Sequence, residues 1–197
     1  MGKWKQSLMV AERALAPSAA PASSQLIATD GGAIANGKAA CRASFAVVFG
    51  KDDPRNVSGR ILQDPSNQKG ELTAIAKAID LVAQDDAVPR QHYTILTDSD
   101  YSIKCITTWA RNWVRNEWQT SKGEPVKHRE LIEPAYKRYL ALQPHLSFKH
   151  IKSHRQAPAD RMSQAYSEWY LNDLADKECS RVLKSEVPAR PVATPTK

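Results

Sequence analysis

Three carboxylates occupy positions where a pattern of strands and helices would bring them together. Asp30 ends a short apolar run, Asp98 ends a second one, and Glu71 opens an amphipathic helix between them. In an open α/β sheet, sites gather where strand ends face helix starts. If the two strands are neighbours, Asp30 and Asp98 lie side by side and Glu71 projects over them. Asp176, in the last predicted helix, could join this cluster.

The chemistry of such a cluster favours divalent cations. Neighbouring carboxylates are costly unless a cation neutralises them, and an oxygen-only ligand set suits Mg²⁺ or Mn²⁺ better than zinc. Two such ions about 4 Å apart could hold a phosphodiester, activate water and stabilise the leaving oxygen. Taken singly, the residues have ordinary explanations: Asp30 as a turn former, Asp98 as a helix cap, Glu71 as a partner of the helix dipole. Their convergence favours the metal site, because independent caps have no reason to converge.

The elements that must position these residues alternate between strand and helix patterns. Apolar and β-branched runs predict strands at 25–30, 43–49, 58–63, 93–97 and 146–151. Helical spacing of apolar residues predicts helices at 71–84, after the Asp98-Ser99 cap, at about 129–141 and at about 169–183. This order predicts a mixed sheet with helices packed on it and a βαβ-like crossover.

The chain of 197 residues fits one globular domain with tails. We expect an Ala/Ser/Pro-rich leader at 1–25, disordered or processed, a folded domain at 26–184, and a Pro-rich flexible tail at 185–197. No apolar run is long enough to span a membrane, so we expect no membrane association.

The cysteines indicate a reducing compartment. Cys41, Cys105 and Cys179 are odd in number and widely spaced, which gives neither a zinc pattern nor a disulfide framework. We therefore expect structural thiols in an intracellular protein, cytoplasmic or nuclear. Lys3, Lys5 and a nearly acid-free leader are also compatible with an organellar transit peptide.

Positive charge is concentrated in one segment. The net charge is +7, and residues 104–129, here called the basic segment, hold six basic residues against two glutamates. Such a concentration is an expected footprint for a phosphate backbone. A solvated charged face is the alternative interpretation.

Four segments in order along the chain resemble the type 1 ribonuclease H family. They are Ile27–Gly32 (I-A-T-D-G-G), Ser66–Leu72 (S-N-Q-K-G-E-L), Ile95–Tyr101 (I-L-T-D-S-D-Y) and Asn172–Asp176 (N-D-L-A-D). The resemblance spans about residues 26–181. It implies an α/β fold, the ribonuclease H-like mixed five-stranded sheet flanked by helices. It also implies an endonuclease that hydrolyses the RNA strand of RNA–DNA hybrids by a two-metal mechanism, leaving a 3′-hydroxyl and a 5′-phosphate.

The same resemblance assigns the reacting residues. It implies that Asp30, Glu71, Asp98 and Asp176 bind two Mg²⁺ ions, for which Mn²⁺ can substitute. Lys152-Ser153-His154 looks like the family's K-G-H, which would make His154 the mobile histidine that assists proton transfer or product release. Imidazole titrates near neutral pH, as that role requires.

The resemblance also assigns a nucleic-acid surface. Asn67 and Gln68 would read minor-groove edges, and the RNA strand would approach Gly31 and Gly32, where no side chain blocks it. Trp109 and Trp113 share a helix face in the basic segment, which resembles the family's basic protrusion. The alternative is that both tryptophans are core residues. The full predicted surface is Gly31, Gly32, Asn67, Gln68, Tyr101, Trp109, Trp113 and Lys127.

The sequence departs from the family pattern in three places. Asp176 follows His154 by 22 positions, about twice the family spacing, which predicts an enlarged histidine loop carrying Tyr166, Trp169 and Tyr170. His128 stands where many relatives place Asn. Asp64 stands where an Arg often helps bind DNA phosphate, and an acid there would repel phosphate.

Three functional hypotheses remain open at the level of sequence. The chain could be a stand-alone ribonuclease H, the ribonuclease H domain of a reverse-transcribing element, or a non-catalytic hybrid-binding module on the same fold. The intact carboxylate set argues against the last, since a pure binder gains nothing from negative charge near phosphate. We expect the hybrid as partner, no obligate protein partner, and a monomer.

Overall fold

The computed structural model describes residues 24–153 and 155–185 and contains one five-stranded sheet. The strands are β1 (Ser24–Ile34), β2 (Arg42–Val48), β3 (Val57–Ile61), β4 (His92–Thr97) and β5 (Leu146–His150). Their order is β3-β2-β1-β4-β5. β1 pairs antiparallel with β2 and parallel with β4, and β4 pairs parallel with β5. The predicted mixed sheet is confirmed.

Helices cover both faces of the sheet. They are α1 (Asn67–Ala83), α2 (Asp100–Lys104), α3 (Ala110–Arg115), α4 (Arg129–Leu142) and α5 (Gln164–Lys184). A π-helical turn, Cys105–Trp109, joins α2 to α3, and a 3₁₀ turn, Val88–Arg90, precedes β4. Alternation along β1 sends Ile27 into the large core with α1 and α4, and Ala28 into a smaller core with α5. The sheet is therefore buried on both sides.

The first predicted strand boundary was wrong. We expected the first strand to end at Asp30, but β1 continues to Ile34, which pairs with Arg42 of β2. The glycines are used for close packing against helices rather than for a turn, as the functional site shows below. Asp30 therefore lies inside a strand, two residues beyond the last parallel pair with β4.

The starts of two helices also differ from prediction. α1 begins at Asn67 rather than near Glu71, because the Ser66 side chain accepts a hydrogen bond from the Lys69 N–H at 3.2 Å. Glu71 consequently lies in the second turn, where a helix-dipole role no longer explains it. α5 begins at Gln164 rather than near Trp169, capped by Ser163. The residues predicted to enlarge the histidine loop thus lengthen this helix by more than a turn.

The Asp98-Ser99 cap is confirmed, and Ser99 makes it. The Ser99 hydroxyl accepts from the Ser102 N–H at 3.3 Å, which leaves the Asp98 carboxylate outside the cap. Helix capping therefore does not explain the presence of Asp98.

The structure describes only a small part of the predicted leader and tail. Ser24 and Gln25, assigned to the leader, belong to β1. The rest of the leader, and the tail beyond residue 185, lie outside the described residues. No helix in the described part of the chain is long and apolar enough to cross a membrane. All three cysteines are free thiols.

Candidate metal and nucleic-acid site

Three of the predicted carboxylates meet at one edge of the sheet. Asp30 projects from β1, Asp98 directly follows β4, and Glu71 comes from α1. One ligand oxygen from each lies within 4.8 Å of the other two. The parallel pairing of β1 with β4 places the two aspartates at the same edge, as the sequence predicted.

A contact between two glycines brings Glu71 to the aspartates. A Cβ on Gly31 would collide with the backbone nitrogen of Glu71, and one on Gly70 would lie 2.5 Å from the Ser44 carbonyl oxygen. Only glycine at both positions lets α1 approach the sheet this closely. The predicted reason for Gly31 was room for an RNA strand, but its missing side chain makes room for α1. Gly32 likewise faces α5, where a Cβ would lie 3.3 Å from the Cys179 sulfur.

The clustered charges disturb one another strongly. Burial, followed by the charges of Asp98 and Asp176, raises the pKa of Asp30 to about 6. Burial, followed by the charges of Asp30 and Asp98, raises the pKa of Glu71 to about 9, against a partial lowering by the Gly31 N–H. Without a cation, Glu71 therefore retains its proton at neutral pH.

Unpaired buried oxygens fit a bound cation. Glu71 Oε2 and Asp98 Oδ1 are buried, and neither has a hydrogen-bond donor within the described part of the chain. A buried acceptor without a donor is costly. Hard divalent cations take carboxylate oxygens as ligands, so this donor set suits Mg²⁺ or Mn²⁺. The cluster is a candidate divalent-metal site.

Asp176 lines a pocket together with Asp30 and Asp98. It is outside the closest set of three oxygens, but its charge acts on Asp30. The pocket is lined by Asp30, Asp98, Ser153, Arg155, Trp169, Asn172, Asp173 and Asp176. Sequence reasoning placed Asp176 here but missed Arg155 and Trp169 as lining residues. The seven-residue spacing from Trp169 to Asp176, which puts both on one helix face, was the signal that could have found the tryptophan.

Cys179 is a further residue that the sequence gave no reason to place here. Its thiol hydrogen-bonds Asp30, and burial, with the charge of Asp30, raises the thiol pKa to about 12. The Ser44 hydroxyl lies 2.9 Å from its sulfur. Cys179, predicted to be a structural thiol, thus contacts a carboxylate of the site. His154, predicted to assist catalysis, lies outside the described residues.

The predicted aromatic surface forms a continuous chain of rings. Tyr101 contacts Trp109 with 5.7 Å between ring centroids, and Trp109 contacts Trp113 at 5.9 Å. Both tryptophans are half-buried and line an open groove with Asn112, Asn116, Gln119, Thr120 and Ser121. Trp118, which completes the chain at 6.3 Å from Trp113, is buried in the core. Trp109 and Trp113 therefore pack on the core and also line the groove.

The remaining predicted contact residues lie at the surface. Asn67 and Gln68 are exposed in the first turn of α1, and the Asn67 N–H donates to Asn36 Oδ1 at 3.2 Å. Lys127 is exposed in the basic segment. His128 and Asp64 are two of the residues that depart from the family pattern. Burial lowers the pKa of His128, and the charges of Glu130 and, to a smaller extent, Asp64 oppose that shift.

Comparison with known proteins agrees with this architecture. A sequence model of the RNase H family matches residues 22–180. Ribonuclease H of Schizosaccharomyces pombe is 37% identical over 131 residues, 66% of this chain and 46% of that protein. Human ribonuclease H1 is 33% identical over 105 residues, 53% of this chain and 36% of that protein. The chain thus spans less than half the length of these two relatives.

A solved structure supports the fold independently. The solution structure of the PFV RNase H domain superposes with a TM-score of 0.56 at 20% identity, covering 80% of this chain and 93% of that domain. The sheet order, the flanking helices and the carboxylates at the sheet edge define a ribonuclease H-like α/β protein. The family match covers most of the chain, and the chain belongs to the RNase H family.

Proposed function

We propose that this chain is a metal-dependent endonuclease that hydrolyses the RNA strand of RNA–DNA hybrids. The observation that carries the proposal is the close approach of Asp30, Glu71 and Asp98, whose ligand oxygens lie within 4.8 Å of one another. Two of these carboxylates, Glu71 and Asp98, have a buried oxygen with no donor among the described residues. Membership of the RNase H family supplies the reaction class.

In this proposal the four carboxylates share the binding of two divalent ions, Mg²⁺ with Mn²⁺ able to substitute. When bound, such ions supply Lewis-acid stabilisation of the phosphodiester and a lowered pKa for attacking water. Asp30 and Asp98 hold the ions from adjacent strands, Glu71 from α1 and Asp176 from α5. Because the four residues come from four rigid elements, their geometry is fixed before substrate binds.

The substrate follows from the surfaces beside this cluster. The exposed amides of Asn67 and Gln68 lie in the α1 turn that precedes Glu71, within reach of base edges or 2′-hydroxyls. The groove of Trp109 and Trp113, in the basic segment, suits the sugar–phosphate backbone of the DNA strand. Recognition of one strand at the carboxylates and the other at the groove would select a hybrid.

The alternatives make different predictions for the same protein. A binding module would bind the hybrid without cutting it, and the strained carboxylate cluster argues against that role. A domain of a reverse-transcribing element would show the same activity, so only the neighbouring reading frame separates that origin from a stand-alone enzyme. We expect a monomer in a reducing intracellular compartment.

The test is cleavage of an RNA–DNA hybrid labelled on each strand in turn. The hybrid is incubated with Mg²⁺, with Mn²⁺ and with EDTA, beside single-stranded RNA, double-stranded RNA and double-stranded DNA. We expect cutting of the hybrid's RNA strand alone, with 5′-phosphate and 3′-hydroxyl ends, and complete loss in EDTA. Tight hybrid binding without cutting would overturn the proposal in favour of a binding module.

A further inference from the structure

The face of α5 that carries Asp176 continues toward the N-terminus as an aromatic surface. Trp169 lies seven residues before Asp176 and Asp173 lies between them, so the three share one side of the helix. Trp169 and Asp176 are therefore separated by about 10 Å along the helix axis. Both line the pocket that contains Asp30 and Asp98.

Trp169 is held in a defined orientation. Its indole N–H donates to the Arg155 carbonyl oxygen at 2.9 Å, which ties α5 to the segment that follows β5. Tyr166 packs on one side of the indole, with 5.5 Å between ring centroids, and stacks on Tyr170 at 6.1 Å. The indole N–H is thus hydrogen-bonded within the protein, and the half-buried ring forms part of the pocket wall.

A partly buried ion pair anchors this end of the helix to the sheet. Glu168, which is only 9% exposed, accepts hydrogen bonds from Lys149 of β5 at 2.5 Å and from Gln164 at 3.0 Å. The first turns of α5 are consequently fixed relative to β5 and to the carboxylates. The wall formed by Trp169 is a built part of the cleft.

Arg155 supplies the opposite charge in an acidic pocket. It is exposed, and it is the one basic residue among the described residues that line the pocket. Asp30, Asp98 and Asp176 repel a polyanion, whereas the guanidinium of an arginine that lines the same pocket attracts one and matches phosphate geometry. A cation at this position is useful to a phosphodiester substrate that extends past the metal site.

We propose that Arg155 and Trp169 form a binding subsite for the RNA strand next to the scissile phosphate. Arg155 binds a flanking phosphate, and the indole of Trp169 packs against the nucleotide that this phosphate carries. The RNA strand is the occupant because the two residues share their pocket with the carboxylates that hold the cleaved strand. This inference rests on the proposed function and deepens it: the lengthened α5 extends the substrate cleft.

Four variants of the full chain test the subsite: Arg155→Ala, Trp169→Ala, Trp169→Phe and, as the matched control, Arg161→Ala. Arg161 is exposed in the same segment but does not line the pocket. KM and kcat are measured on the labelled hybrid. Hybrid affinity is measured at several salt concentrations in an Asp98→Asn background, where the substrate stays intact.

We expect Arg155→Ala and Trp169→Ala each to raise KM and the dissociation constant about tenfold, with kcat changed less than about threefold. Arg155→Ala should also lower the salt slope of binding by about one, the signature of one lost phosphate contact. Trp169→Phe should retain most of the affinity, because it keeps an aromatic face, although it loses the indole N–H and the smaller of the two fused rings. Arg161→Ala should match the parent protein.

Two results would overturn the subsite. One is equal behaviour of Arg155→Ala and Arg161→Ala; the other is a Trp169→Phe defect as large as that of Trp169→Ala, which would make the indole N–H a structural anchor only. Arg155 decides the matter if Trp169→Ala fails to fold. A parent protein that does not cut the hybrid would refute the proposed function as well. A parent that cuts normally beside unaffected variants refutes the subsite alone.

Discussion

At the residue scale, Glu71 experiences the strongest electrostatic strain in the site. It is buried beside Asp30 and Asp98, and its pKa rises to about 9 from an ordinary value of 4.5. In the metal-free protein, the folded state therefore holds a proton between these two pH values that the unfolded state has lost. The stabilising effect of that proton is complete below about pH 4.5 and disappears as the pH rises toward about 9.

This linkage gives a stability prediction for Glu71→Gln. In EDTA, the parent protein should lose stability between about pH 5 and about pH 8.5. At the higher pH, Glu71→Gln should be more stable than the parent by about 1–3 kcal/mol. Urea unfolding at both pH values measures the effect. Glu124→Gln, at an exposed glutamate, is the control and should leave the pH dependence unchanged. A Glu71→Gln protein that still loses as much stability as the parent would contradict the pKa assignment.

Metal binding should be coupled to the same proton. Because Glu71 is protonated at neutral pH without a cation, Mg²⁺ must displace that proton, and its affinity should rise between about pH 6 and about pH 9. Calorimetry in buffers of different ionisation enthalpy measures the proton release directly. Mg²⁺ binding with no proton release over this range would show that the ion does not bind at Glu71.

At the element scale, the site depends on how closely α1 approaches β1. The sequence predicted both elements and their neighbours, since apolar periodicity and strand order follow local patterns. It did not predict that Asp30-Gly31-Gly32 continues a strand, because the same residues form turns in isolation. The deciding contact, between Gly31 and the backbone at Gly70 and Glu71, joins residues 40 positions apart.

Gly31→Ala should therefore be strongly destabilising. The added methyl group would collide with the α1 backbone, which cannot move aside as a flexible side chain would. We expect a loss of at least about 2 kcal/mol in the free energy of unfolding, together with lost Mg²⁺ affinity. Gly50→Ala is the matched control, because its Cβ would make an ordinary 4.0 Å contact. Similar unfolding midpoints for the two variants would refute this account of how Glu71 is placed.

The start of α5 shows a second limit of sequence reasoning. The family resemblance made the residues before Asn172 look like inserted loop, whereas Ser163 caps a helix that begins at Gln164. The anchoring contact is the ion pair of Lys149 with Glu168, which crosses from sheet to helix. Such a pair cannot be inferred from the two residues alone, because it depends on the register of both elements.

At the scale of the whole molecule, the proposed function assigns separate tasks to the carboxylate site and the basic segment. The basic segment holds six of the basic residues and the tryptophan groove, away from the acidic pocket. Its composition was readable from the sequence. The half-burial of Trp109 and Trp113 was not, because each ring also packs on the core.

This division predicts that Lys127→Gln weakens binding without slowing the chemical step. Loss of one phosphate contact should lower the salt slope of hybrid affinity by about one, with kcat nearly unchanged. Lys51→Gln is the control: this exposed lysine follows β2, at the end that lies beside the start of β1. A reduced kcat in Lys127→Gln, or an equal change in Lys51→Gln, would contradict the division.

We propose that the carboxylate cluster performs the cleavage of the hybrid rather than its binding. The decisive experiment measures cleavage and affinity of the same RNA–DNA hybrid with the Asp98→Asn variant in Mg²⁺. We predict that cleavage is abolished while affinity is kept or increased, because the substitution removes a metal ligand and a negative charge near the phosphate. Cleavage retained in a folded Asp98→Asn protein would contradict the site.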